Sequence, residues 1–257
     1  MCMKKIISLL FFILIPTIEA ITLKEAISSD IRSEKNILRD PYRNPYETIN
    51  FFGIKANMKV LELSPGSGWY TEILSQYLLD EGELLVAHFN PENGGYQKRS
   101  RLAFDNKMNS NKAFLKVKTF NIDSNFSEQE GIDAILTFRN LHNWVGPTMD
   151  SIFKNSFDAL SSGGIFGVVE HRGKKGLSVS EMKKTGYVSE DYAIKEAEKY
   201  GFILVAKSEI NANSKDLKEY PKGVWTLPPS LRMKEVDADT YLAIGESDRF
   251  TLLFRKP

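Results

Sequence analysis

Cysteine is almost absent from the chain. Cys2 is the only one, and it lies in a segment expected to be removed, so disulfides and thiolate chemistry are excluded from the mature protein. An excess of charge is also missing. Lysine and arginine number 34 against 33 aspartate and glutamate, a formal net charge of +1, so no general electrostatic attraction to nucleic acid or an anionic membrane is expected. No internal repeat or low-complexity tract is visible. No apolar run reaches the length of a membrane span: the longest, Ile6 to Ile15, is about half what a bilayer requires. Lys4 and Lys5 before that run, Pro16 after it and Ala20 as a cleavage point read as a signal peptide over residues 1–20. The expectation is an exported, periplasmic protein with no stable membrane insertion after cleavage.

What is present is ordinary globular material. With 42% hydrophobic residues in 257, the chain is long enough for one large α/β domain with a sizeable core. Leu23, Ile27 and Ile31 recur at helical spacing, and the stretch ends at Asp40-Pro41 and Asn44-Pro45, so residues 21–52 are predicted to form a helical N-terminal cap. From residue 53 to 257 short apolar runs alternate with amphipathic stretches, the pattern of βαβ units. Strands are predicted at 59–63, 83–87, 113–120, 132–138, 165–170, 202–209 and 249–255. Helices are predicted at 45–52, 70–79, 97–108, 148–160 and 189–200. Glycines at 82, 163, 164 and 201 serve as helix stops. No helix-length run is evident between the sixth and seventh strands, so the last strand is expected to be antiparallel. The segment between them, 211–240, is read as an insertion, with Trp225, Pro221, Pro228 and Pro229 forming either an apolar acceptor wall or a packed loop.

The most informative segment follows the first strand. Glu62-Leu-Ser-Pro-Gly-Ser-Gly68 runs straight into a helix, so Gly66 and Gly68 let backbone approach a ligand and the helix start offers free N–H donors. Three ligands compete for such a loop. A triphosphate requires a lysine where Trp69 stands. A dinucleotide requires a third glycine where Thr71 stands and an acid about 20 residues on, where the chain has His88. S-adenosylmethionine meets neither objection.

That loop resembles the first motif of class I S-adenosylmethionine-dependent methyltransferases, a seven-stranded Rossmann-like family with helices on both faces of a mostly parallel sheet. Pro65-Gly-Ser-Gly-Trp-Tyr-Thr-Glu-Ile-Leu74, Phe138-Arg-Asn-Leu-His-Asn-Trp144, Val169-Glu-His-Arg172 and Gly245-Glu-Ser-Asp-Arg249 resemble a bacterial group of predicted, often exported methyltransferases. The resemblance implies that Glu62, Ser64, Pro65, Gly66, Ser67, Gly68 and Tyr70 contact the methionine end of the cofactor, and that Glu62 faces its sulfonium and ammonium. Ser64 stands where many members have glycine. Where the family offers an acid to the ribose, the chain reads Ala87-His-Phe-Asn90, and Asn90 or His88 is left to make those hydrogen bonds. Asp123 matches the acid that faces the adenine amino group, and Asn140 opens the segment facing the methyl group.

Each of the three histidines, His88, His142 and His171, follows a predicted parallel strand, which places all three at the ligand edge of the sheet. His142 with Asn143 is expected to sit near the transferred methyl as a general base or an orienting donor. His171 and Arg172 are expected to grip a polar or anionic acceptor, a small molecule. Without a tight spacing motif, no metal site is expected among the histidines. Arg32, Arg39 and Arg43 have two readings, closing over the site from the N-terminal cap or forming a solvated helical face, with the second favoured.

Overall fold

The computed structural model describes residues 20–257, so the expected leader lies outside the described residues. Among those described, no helix is long and apolar enough to cross a membrane. The strands are β1 (Lys59–Leu63), β2 (Glu83–His88), β3 (Lys118–Asn121), β4 (Ile132–Phe138), β5 (Leu160–His171), β6 (Ile203–Ser208) and β7 (Arg249–Arg255). They form one sheet in the order β3-β2-β1-β4-β5-β7-β6. The pairs from β3 through β5 are parallel, and β7 is antiparallel to both β5 and β6. The expected α/β class and the reversed last strand are both present.

Period-two alternation in the strands divides the core into two layers. Leu61, Leu63, Leu85 and Ile135 face one side, under α7 (Pro147–Ala159) and α9 (Glu190–Glu198). Val60, Leu84, Val86 and Leu136 face the other, under α1 (Leu23–Ile27), α3 (Pro45–Phe51), α4 (Trp69–Tyr77) and α5 (Gly95–Asn109). The chain leaves β1 toward β2 and β3, then returns to place β4 on the other side of β1. That reversal opens a crevice beyond the carboxyl ends of β1 and β4, where open α/β sheets bind ligands.

Several boundaries differ from the sequence reading. β3 is shorter than predicted because Asn111 accepts a bond from the Ala113 N–H (2.9 Å) and starts a 3-10 turn, Lys112–Phe114; buried Phe114 joins the layer under α4. β5 is longer. Leu160 is already extended, and Gly163 and Gly164 lie inside the strand near a register shift against β4 rather than ending the helix. A helix at α8 (Val179–Thr185) was not predicted, although Ser178 and Glu181 form a capping box that the sequence displays. The 211–240 insertion is packed: buried Asp216 accepts from the Tyr187 hydroxyl at 3.0 Å, and Val224 and Leu227 are buried. A short helix, α10 (Ala238–Ile244), then leads into β7.

Candidate active site

The loop between β1 and α4 is built on three left-handed residues, Ser64 (φ +49°), Gly66 (φ +61°) and Gly68 (φ +78°). A left-handed serine is uncommon, which gives a physical reason for the glycine usual at that position. A Cβ on Gly68 would lie 3.1 Å from Phe104, whereas one on Gly66 would meet nothing within 4 Å. Both positions favour glycine through their left-handed φ, and at Gly68 the close approach of Phe104 adds to it. At the end of β1, Glu62 is buried and accepts a bond from the Thr71 hydroxyl at 2.6 Å. Burial raises its pKa to about 7, against the opposing effects of the Thr71 bond, Lys107 and Arg43. The residue that replaces the third dinucleotide glycine thus orients the carboxylate.

Two clefts meet at this loop. The larger, about 840 Å³, is bordered by Ser64, Gly66, Asn90, Asp123, Asn140 and Asn143. Asn90 donates to Asp123 at 3.2 Å across its floor, so the ends of β2 and β3 present a joined amide and carboxylate. Asn140 donates to the carbonyls of Leu63 (3.2 Å) and Ser64 (3.1 Å), tying the end of β4 to the loop. The smaller cleft, about 120 Å³, is lined by Glu62, Pro65, Ser67, Tyr70 and three arginines, Arg39, Arg43 and Arg139. Ser64, Gly66 and Asn140 border both. The hydroxyl oxygen of Ser64 is buried without a hydrogen-bond partner. Tyr70 stacks on Phe138 with ring centroids 3.5 Å apart and donates its hydroxyl to the Arg43 carbonyl at 3.2 Å, so it offers the cleft a ring face rather than a polar group.

Three expectations are corrected. His88 borders neither cleft. Its Nδ1 accepts from the Phe89 N–H (2.7 Å), which puts the proton on Nε2, and that donates to the Gly66 carbonyl at 3.1 Å. Burial lowers its pKa, so a neutral imidazole braces the glycine loop from behind. Arg172 is occupied by acids: it donates two bonds to Glu209 and lies 3.6 Å from Asp248, a surface network that borders neither cleft. The N-terminal arginines are not a solvated face either. Arg32 is 3% exposed and forks onto Asp40 at 2.7 Å, while Arg43 is 2% exposed and lies over the Trp69 ring at 4.6 Å. Their apolar neighbours sit too far along the chain for periodicity to reveal them.

His142 and His171 do come together, with Glu170 between them. His142 Nδ1 is 3.1 Å from the Glu170 carboxylate, which also accepts the backbone N–H groups of His142 (3.3 Å) and His171 (2.7 Å). His171 Nδ1 is bonded to the Ser247 hydroxyl. The two rings lie 5.3 Å apart, and Trp225 from the insertion stands edge-on to His142 at 5.9 Å. Neither histidine borders the two clefts; of this segment Asn143 and Trp144 do. The donor atoms of His142, Glu170 and His171 lie within 4.8 Å of one another, a grouping that histidine spacing alone conceals because Glu170 completes it and His88 does not join. Burial, then His142 and the guanidiniums of Arg249, Arg139 and Arg43, push the His171 pKa well down.

No protein-family model matches the chain, and no curated protein matches it. Solved structures do. A SAM-dependent methyltransferase from Aquifex aeolicus is 15% identical, with a TM-score of 0.54 over 74% of this chain and 94% of that one. The cyclase SpnF is 13% identical, with a TM-score of 0.61 over 91% and 92%. The glycopeptide N-methyltransferase MtfA, solved with sinefungin, is 10% identical, with a TM-score of 0.53 over 84% and 86%. Identities this low speak to fold, and one of these relatives is a cyclase, so the reaction must be argued from the site. The chain has the seven-stranded mixed-sheet fold of the S-adenosylmethionine-dependent methyltransferases, with its two clefts at the switch point between β1 and β4.

Proposed function

We propose that this protein is an exported S-adenosylmethionine-dependent methyltransferase acting on a small-molecule acceptor. The observation that carries the reading is the continuity of the two clefts across Ser64, Gly66 and Asn140, with the buried carboxylate of Glu62 at the smaller end. A nucleoside fits the larger cleft, with Asp123 and Asn90 as acceptor and donor for its polar edges. Glu62 is a buried anion whose chemical complement is a cation, and a sulfonium and ammonium provide one. The unpartnered Ser64 hydroxyl is a further donor waiting on the shared rim.

When bound, the cofactor supplies an electrophilic methyl group whose sulfur leaves as a neutral thioether, so no acid is needed to assist departure. The protein's share is placement. His88 and Asn140 hold the loop from two sides, and Glu62 fixes the charged end. Glu170 holds His142 at Nδ1 and Trp225 covers its ring, so His142 stands outside both clefts and orients the end of β4 rather than meeting the acceptor. That covering also favours a second reading, a binding protein that retains the cofactor without turning it over. Isotope transfer from labelled S-adenosylmethionine to a library of small acceptors separates the two, since binding without any labelled product supports the second.

Gly66→Gln is expected to leave the fold intact, because nothing lies within 4 Å of the new Cβ and the side chain is not β-branched, at a cost of about 1–2 kcal/mol for the left-handed backbone. Binding of S-adenosylhomocysteine should fall below detection, as the side chain projects from the shared rim. Retained binding, measured by calorimetry on a folded variant, would remove the loop from the site.

A further inference from the structure

The charges around the smaller cleft do not balance. Arg39, Arg43 and Arg139 line it, and Arg249 stands behind them. All four converge on one carboxylate, Glu246: Arg39 at 2.5 Å, Arg43 at 3.6 Å, Arg139 at 3.8 Å, and Arg249 in direct contact. Among the described residues that line the cleft, Glu62 is the acid, and Glu246 lies outside that lining. Two neighbouring cations each have an acid of their own: Arg32 forks onto Asp40, with only its Nε left unpartnered, and Lys107 meets Glu72 at 2.7 Å.

The excess has unmade hydrogen bonds to match. Arg39 Nη2, Arg43 Nε and Nη2, and Arg249 Nε are buried with no hydrogen-bond partner. Buried guanidinium donors are nearly always satisfied, so unmet ones mark the place of a missing acceptor. The side chains of Arg39 and Arg139 are 22% and 23% exposed, which leaves an approach from solvent. Arg139 reaches its position from a left-handed backbone, φ +63°, a conformation that costs energy and is usually kept where a site needs it.

A planar guanidinium fork matches a carboxylate or a phosphate. The methyl donor does not restore the balance, because its one carboxylate is outnumbered by its own ammonium and sulfonium. We propose that the methyl acceptor is a small acid whose carboxylate or phosphate is held by Arg39, Arg43 and Arg139 beside the donor cleft. This rests on the methyltransferase reading. It also transfers to these arginines the acceptor-gripping role that the sequence suggests for Arg172.

The test is calorimetric titration of the mature protein with inorganic phosphate, alone and with saturating S-adenosylhomocysteine, repeated for Arg39→Gln and Arg139→Gln. Both substituted residues are partly exposed, and circular dichroism confirms that the variants fold. Phosphate should bind with the nucleoside present, and each variant should weaken it roughly tenfold, the loss of one charge-assisted bond. Phosphate binding that the nucleoside abolishes would mean the arginines serve the donor's own carboxylate, and the proposal falls. Absent binding, or binding unchanged in both variants, also overturns it, the latter as an adventitious ion only. If the nucleoside fails to bind while phosphate binds and the variants lose it, the oxyanion site stands and the methyltransferase reading is what fails.

Discussion

Glu246→Ala is expected to destabilise the protein by about 3–5 kcal/mol, the usual cost of removing one partner from a buried ion network. Glu246 is 2% exposed and joins three segments: Arg39 and Arg43 before α3, Arg139 after β4, and Arg249, three residues on from Glu246, at the start of β7. Without it four guanidiniums face one another with little to offset them. Burial by itself would raise the Glu246 pKa, but Arg249, Arg43 and Arg139 outweigh it and hold the carboxyl well below the usual range. A depressed folded-state pKa means that this stability is fully present above pH ~4.5 and lost as the pH falls below it. Urea denaturation at pH 7 measures the effect, and added phosphate should recover more stability in the variant than in the wild type, because it occupies the same field. A loss under about 1 kcal/mol would show that the arginines are solvated rather than gathered around this acid.

Glu62→Gln is expected to move stability and binding in opposite directions. The folded-state pKa of about 7 lies above the ordinary 4.5, so the favourable contribution of Glu62 is complete below pH 4.5 and lost as the pH rises through 7. Above pH 7 the wild type therefore holds an ionised carboxylate at a cost of roughly 3 kcal/mol. Glutamine keeps the Thr71 hydrogen bond and avoids that cost, so the variant should be the more stable protein at pH 8. It should also bind S-adenosylhomocysteine at least ~30-fold more weakly, since a buried charge-assisted contact to the ammonium contributes about 2 kcal/mol or more. In the wild type the affinity should rise between pH 6 and 8 as Glu62 ionises, and in the variant it should stay flat. Thermal melts at pH 5 and 8 together with titrations across the range check all three. A variant less stable at pH 8 with undiminished binding would place Glu62 in the core rather than in the site.

The sheet was legible because its signals are local. Apolar runs of strand length alternate with amphipathic stretches, and the glycine loop announces the first βα turn. What failed locally failed for stated reasons. The Ala113-Phe114 pair has strand composition, but Asn111 caps a turn there. Gly163 and Gly164 look like a helix stop yet sit within β5. The site was legible only in part. Gly66 follows from its place in the loop after the first strand, whereas Glu62 and Asp123 come from the family resemblance, and each of the three borders one of the two clefts. The direction in which a side chain points does not follow from position: His88, placed at the same edge, turns behind the loop to Gly66. The arginine chamber was legible only in part: Arg39 and Arg43 read from the sequence as residues that could close over the site, but Arg139 and Arg249 lie on two other segments and join them only after folding.

The most direct test of the cofactor assignment is calorimetric titration of the mature protein at pH 7 with S-adenosylhomocysteine and with NAD, in buffers of different ionisation enthalpy. The nucleoside should bind once per chain and release protons as Glu62 gives up its share on meeting the ammonium, and NAD should not bind. Binding of NAD in its place, or no binding of the nucleoside, would contradict the account.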